Sequence, residues 1–185
     1  VEIKAIAKIY GLTTKYLRSD ILANDTAGKQ DVIKDVLLYS EKVNKVRYDM
    51  VLDLDVSAPM RTVNDLLEAY QDLISKSDID NSFSVSAAKK NPYFNMVELN
   101  EDGTCSISKK PETPILSRQK APKVFEMNAS FYFYRRRFFD PKEMYLFKNA
   151  TVFSLPHDSF DFDHQVDIDF FEYLILNNKL TFDIE

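Results

Sequence analysis

The sequence predicts an α/β protein with a mostly parallel sheet and crossover helices. Three observations lead there. Between Lys29 and Ala87, helical periods alternate with short apolar segments of strand length, as when strands and their covering helices follow one another. Thr62, with Asp65 three residues on, has the reciprocal form of a capping box at a helix start. Ala129-Ser-Phe-Tyr-Phe-Tyr-Arg135 reads as a strongly aromatic strand.

In chain order, Glu2–Tyr10 places Ile3, Ile6, Ala7 and Tyr10 on one helical face, with Gly11 as a fitting terminator. Thr13–Leu17 is expected as a strand ending at Arg18, and 19–28 as irregular. A helix from about Lys29 to Val46 presents Ile33, Val36, Leu37, Ser40 and Val43. Asp49–Asp55 alternates acids with aliphatics and reads as a strand. Pro59 has no N–H to give, so 57–61 is a loop, and Thr62 caps a helix running to Lys76. Asn81–Ala87 alternates as another strand. Tyr93–Leu99 and Thr104–Ile107 flank Asn-Glu-Asp-Gly103, a hairpin signal. Residues 109–123, basic and proline-rich, form a long surface loop. Asp140-Pro141 is expected to open a short helix, Ala150–Leu155 to be a strand, and Ile168–Asn178 the last helix.

A length of 185 residues fits one domain, enough to bury about 70% of the unfolded surface. A net charge of −5 argues against general nucleic-acid binding. The single cysteine, Cys105, allows no internal disulfide and fits a reducing compartment. No apolar run approaches the ~20 residues of a membrane span, so a cytoplasmic protein is expected. Three glycines, scattered at 11, 28 and 103, leave no Gly-rich phosphate loop.

Chemistry concentrates near the end. Pro156–Asp169 holds five aspartates and both histidines of the protein. Phe160 and Phe162 alternate with Asp161 and Asp163; an extended segment would send both rings to the core and both carboxylates out of one face. Two carboxylates so placed repel unless a cation lies between them, and a hard ion such as Mg²⁺ suits oxygen ligands. A solvated acidic turn is the competing reading. It accounts for Asp167 and Asp169 at a helix N-terminus, and for Asp161 and Asp163 less well. An EF-hand fails, because Val166 stands where that loop needs glycine.

Other candidates are weaker. Arg61 sits between a strand end and a helix start, where open α/β sheets bind ligands. Arg118, Lys120 and Lys123 form a basic loop, and Arg135–Arg137 reads as a solvated edge-strand end. His157 and His164 match no zinc spacing and read as structural. Cys105 has no nearby base.

Leu17-Arg18, Leu22–Ala27, Asp55-Val-Ser-Ala-Pro-Met-Arg61, Arg118-Gln119, Asn128-Ala-Ser-Phe-Tyr132 and Asp158–Asp163 occur in an order that resembles the acylneuraminate cytidylyltransferases (CMP-sialic acid synthetases). Glu126-Met-Asn-Ala-Ser is similar to the legionaminic-type form, and the likeness spans nearly the whole chain. It implies a Rossmann-like nucleotidyltransferase sheet with helices on both faces and a hairpin-rich dimerisation insertion at about 91–127. It also implies a CTP-dependent enzyme that transfers CMP to a nine-carbon 2-keto sugar acid, releases pyrophosphate and works as a homodimer. By position, Asp161 and Asp163 match Mg²⁺-binding aspartates; Arg18 and the turn ending at Lys29 match nucleotide contacts; Asp55, Arg118, Asn128 and Tyr132 match the sugar side. Asp55 replaces the usual glutamine, and Gly28-Lys29 replaces a Ser-Ser pair. The chain opens at Val1 without methionine. The resemblance implies a first strand and basic phosphate loop ahead of it, so this chain by itself is expected to turn over little CTP. Two rival readings are a non-catalytic dimeric remnant of the fold and a nucleotidyltransferase of other base or sugar.

Overall fold

In a computed structural model, which describes residues 2–24, 26–141 and 144–183, four strands form one mixed sheet in the order β1-β5-β2-β6. Its strands are β1 (Met50–Leu54), β2 (Asn81–Ala87), β5 (Phe125–Arg135) and β6 (Ala150–Ser154). A separate two-stranded ribbon pairs β3 (Val97–Leu99) with β4 (Cys105–Ile107), as the hairpin signal at Gly103 predicts. The helices are α1 (Glu2–Ile9), α2 (Lys29–Asn44), α3 (Val63–Ile74) and α4 (Gln165–Leu176).

The aromatic strand β5 is the spine. Alternation sends Phe131 and Phe133 to one face, where they pack with Ala69 and Leu73 of α3 and with Leu155. Tyr132 and Tyr134 face the other way, onto Leu37 of α2, Phe83, Val85, Phe138 and Phe139. Helices therefore cover both faces of the sheet, as expected. The expectation of a mostly parallel sheet is corrected: β5 runs antiparallel to β1 and to β2, and only β2 and β6 are parallel. Apolar periodicity reports which face a residue takes. It does not report the direction of a strand's neighbour.

Other expectations change too. Thr13–Leu17 is irregular rather than a strand, because Tyr16 turns aside to donate a 2.7 Å hydrogen bond to Asp35 and to meet Tyr39 edge-on. The apolar face of α1 stays open, with Ile3 83% exposed. Gly11 does end that helix, at φ +82. A 3₁₀ turn forms before Asp140, over Arg136–Phe139; the helix expected to open at Asp140-Pro141 runs into residues 142–143, outside those described. Arg135–Arg137 is not a solvated edge-strand end, since β5 is internal. Arg135 donates to the carbonyls of Leu73 and Ile79, each at 2.9 Å, Arg136 meets Glu41 at 2.9 Å, and Arg137 pairs with Asp80. These ties fix the lower end of the sheet and leave the opposite end for the site.

α4 starts at Gln165, three residues before the expected Ile168. The carboxylate of Asp167 accepts from the backbone N–H of His164 at 2.7 Å and of Asp163 at 3.1 Å. That side chain lends its charge to the helix N-terminus and anchors the acidic stretch.

Candidate nucleotidyl-transfer site

The site forms where β1 ends, and local rules explain how. Asp53 lies opposite Tyr132 in the β1–β5 register, so both emerge on the α2 face. Two residues on, Asp55 bends the chain back: its Oδ1 accepts from the N–H of Ser57 at 3.1 Å and from its hydroxyl at 3.0 Å, an Asx turn. Arg61 is not a ligand-facing arginine. Its Nη1 donates to the backbone carbonyls of Asp55, Ala58 and Ser130, at 3.1, 2.7 and 2.9 Å. The guanidinium thus pins the 55–61 loop to β5.

Lys29, the first residue of α2, reaches back over this surface. Its Nζ lies 2.9 Å from Asp53 Oδ2, 3.3 Å from Asp55 Oδ2 and 4.3 Å from the centre of the Tyr132 ring. The approach to Asp53 is close but poorly directed, and Asp53 Oδ2 accepts no hydrogen bond. A hydrogen bond donated to Asp55, charge pairing with Asp53 and a cation–π contact hold the ammonium. Burial works against its charge, yet Asp53 and Asp55 outweigh that and raise its pKa. For Asp55, burial pushes upward, but the bonds from Ser57 and the Lys29 charge prevail and leave the carboxyl below its ordinary value.

The acidic stretch docks against the same loop. The Phe162 N–H donates to the carbonyl of Ser57 at 2.7 Å, which sets Asp161 and Asp163 beside Asp55. This segment pairs with no strand, and its rings do not enter the sheet core. Phe160 packs on Phe170 and Phe162 on Phe171, both on α4, with centroids 5.6 and 5.0 Å apart. The two carboxylates differ. Asp163 is exposed, whereas Asp161 is half-buried and its Oδ1 is shut from solvent without a hydrogen-bond partner. Burial first, then Asp163 and Asp55, raises the Asp161 carboxyl, with Lys29 opposing. An anionic oxygen held there without a partner suits a cation. Among the described residues no three His, Cys, Asp or Glu side chains converge as a complete metal cage. A Mg²⁺ site of one or two carboxylates completed by substrate phosphates fits that donor set.

The other candidates disperse. Arg18 is exposed and lines, with Asp53, Val32 and Leu37, a 410 Å³ groove between α2 and the open edge of β1. Asn128, expected on the sugar side, is buried and bonded within the sheet: its Oδ1 accepts from the Ser84 hydroxyl at 2.6 Å and its Nδ2 donates to Ser86 at 2.9 Å. It secures a β5 bulge in which Ala129 takes φ 54. Arg118 is exposed on the turn Arg118–Lys120, outside the network around Lys29. A 670 Å³ cavity lined by Ser86, Glu126, His157 and Phe182 contains none of the predicted site residues. Sequence reasoning missed Asp53. The signal was there: Asp53 and Asp55, two apart on a strand, leave from one face.

No family model matches the chain. It is 36% identical over 180 residues to post-translational flagellin modification protein B of Campylobacter coli, covering 97% of this chain and 75% of that relative. It is 35% identical over 181 residues to the CMP-N,N'-diacetyllegionaminic acid synthase of Campylobacter jejuni, with the same two shares, 97% and 75%. The chain belongs to the acylneuraminate cytidylyltransferase family. Among solved structures, CMP:2-keto-3-deoxy-manno-octonic acid synthetase complexed with CTP superposes with a TM-score of 0.58 at 14% identity, over 96% of this chain and 78% of that one. That likeness shows the nucleotidyltransferase fold. In this cytidylyltransferase, the two departures from the family pattern noted in the sequence, Lys29 and Asp55, are partners at 3.3 Å.

Proposed function

We propose that the protein transfers CMP from CTP to the anomeric hydroxyl of a nine-carbon 2-keto sugar acid of legionaminic type, releasing pyrophosphate, with Mg²⁺ held by Asp161 and Asp163. The carrying observation is the buried, unpartnered Asp161 Oδ1 set beside Lys29 and Asp55. The relative named for N,N'-diacetyllegionaminic acid supports the sugar class.

Each residue has a role in this reading. Arg18 and Lys29 offer positive charge to the triphosphate from either end of the Asp53 surface. Tyr132, ring-stacked on Tyr134 at 6.2 Å and 10°, gives the sugar a rigid wall. Asp55, fixed by Ser57, accepts from a hydroxyl or amide N–H of the sugar acid. Arg118 pairs with the sugar carboxylate, for which a planar guanidinium is well matched. Asn128 acts through the bulge it holds. When bound, Mg²⁺ would offset the charge that develops in transferring the phosphoryl group.

The test, run on the full-length protein, is a panel of the four nucleoside triphosphates against nine-carbon sugar acids, reading pyrophosphate release with and without Mg²⁺. Turnover with CTP and a legionaminic-type acid, dependent on the metal, is expected. Turnover with another nucleotide, or equal turnover without divalent cation, would overturn the proposal.

A further inference from the structure

Lys29 occupies an unusual position for a phosphate-binding lysine. Its ammonium is drawn inward, between Asp53 at 2.9 Å and Asp55 at 3.3 Å and over the Tyr132 ring, on the surface where Asp161 and Asp163 dock. The contact with Asp53 lacks hydrogen-bond direction, and the Lys29 side chain is 41% exposed. A lysine held by one long hydrogen bond, to Asp55, and by charge, on a flexible four-carbon stem with a path to solvent, can swing outward. Without it, Asp53 and Asp55 would keep no ion-pair partner among the described residues, since nearby Arg61 is spent on backbone carbonyls, and Asp161 would lose an opposing charge.

We propose that Lys29 is the resident counter-cation of this site, which a divalent metal displaces on loading and so releases toward the anionic substrate. This rests on the metal reading above. Without a cation the carboxylates would repel; Lys29 offsets part of that charge and keeps the site preformed. A divalent ion on Asp161 and Asp163 places two positive charges beside the ammonium held by Asp53 and Asp55, and that repulsion drives Lys29 outward. Lys29 then stands at the N-terminus of α2, where positive charge and free N–H groups favour a phosphate. Metal and lysine would thus oppose each other across adjacent carboxylate pairs in the free protein and cooperate once nucleotide is bound.

The experiment uses no turnover. Melting temperature is followed during Mg²⁺ titration, without nucleotide, for the unaltered protein, Lys29→Met, Lys29→Arg and Asp161→Asn. Lys29→Met keeps the stem on Tyr132 and removes the charge. It should melt lower in metal-free buffer, gain more from Mg²⁺ than the unaltered protein, and bind Mg²⁺ roughly tenfold tighter, the size of removing one charge near a divalent ion under water-like screening. Lys29→Arg should behave like the unaltered protein. Asp161→Asn should lose the Mg²⁺ response. Equal Mg²⁺ responses in the unaltered protein and Lys29→Met overturn the role of Lys29, while loss in Asp161→Asn alone leaves the metal reading standing. No Mg²⁺ response in any variant overturns both.

Discussion

His157 and Asp65, 92 positions apart in the chain, meet with Nε2 3.0 Å from Oδ2, and both side chains are almost wholly buried, at 5% and 4% exposure. The other ring nitrogen faces the carbonyl of Asp158 at 3.0 Å. Both neighbours are acceptors, and the ring spans the two. Asp65 is also the capping residue of α3, accepting from the N–H and hydroxyl of Thr62, each at 2.7 Å. Phe182 stacks on the imidazole at 4.0 Å. This pair ties the start of the acidic stretch to the body of the fold.

Replacing His157 by Leu should therefore cost about 1–3 kcal/mol, the penalty for leaving a buried acceptor short of a donor, measured by urea denaturation. The dependence on pH has a definite sign. Burial raises the Asp65 carboxyl, but His157 and Thr62 outweigh it and leave its pKa below the ordinary value. A depressed carboxyl contributes stability that is full above the unfolded value of ~3.9 and is lost as pH falls through the folded one. Melting temperature should drop through that acid window, and Asp65→Asn should flatten the drop.

Asp161→Asn should separate stability from function. The Asp161 carboxyl is raised, chiefly by burial and then by Asp163 and Asp55, so its ionised form costs stability above the unfolded pKa. The near-isosteric amide removes that cost, and the metal-free protein should melt at the same temperature or higher. In the full-length protein, Mg²⁺-dependent pyrophosphate release should nonetheless fall at least ~100-fold, about 2.7 kcal/mol at the transition state. Asp169, whose carboxylate accepts from Gln165 at 2.9 Å, is the control. Asp169→Asn should leave the Mg²⁺ titration unchanged. Equal effects at 161 and 169 would reduce the acidic stretch to a solvated turn.

Tyr134 is fully buried, and its hydroxyl has no hydrogen-bond partner. Burial and the nearby Asp53 push its pKa well up. Its ring does the packing, against Phe138 at 4.8 Å and Phe139 at 5.3 Å. Tyr134→Phe should be neutral or stabilising by about 1 kcal/mol. A fall in melting temperature of several degrees would reveal a partner for the hydroxyl.

The β3–β4 ribbon leaves Val97 64% and Leu99 79% exposed, more apolar surface than an isolated two-stranded unit sustains. A second copy of the chain, related by a two-fold axis, is the expected cover. Sedimentation should give a dimer at micromolar concentration, shifted toward monomer by Leu99→Asp. A monomeric unaltered protein would rule this out.

The sequence by itself determined what acts over a few residues. The Thr62–Asp65 capping box, the hairpin at Gly103, the alternation of Phe131 to Tyr134 and the acidic stretch at 161–163 were all legible, because caps, turns and periodicity depend on neighbours within a turn or a strand. Relationships between distant segments were decided by the tertiary structure. Apolar alternation does not say that β5 lies between β1 and β2 and opposes both. Arg61 reads as a ligand contact from its place in sequence, yet its guanidinium serves three carbonyls that only folding brings together. Lys29 and Asp55 look like two unrelated departures until the end of β1 and the start of α2 converge and make them an ion pair. A side chain's chemistry is local, but its partner is selected by the packing of segments far apart in the chain.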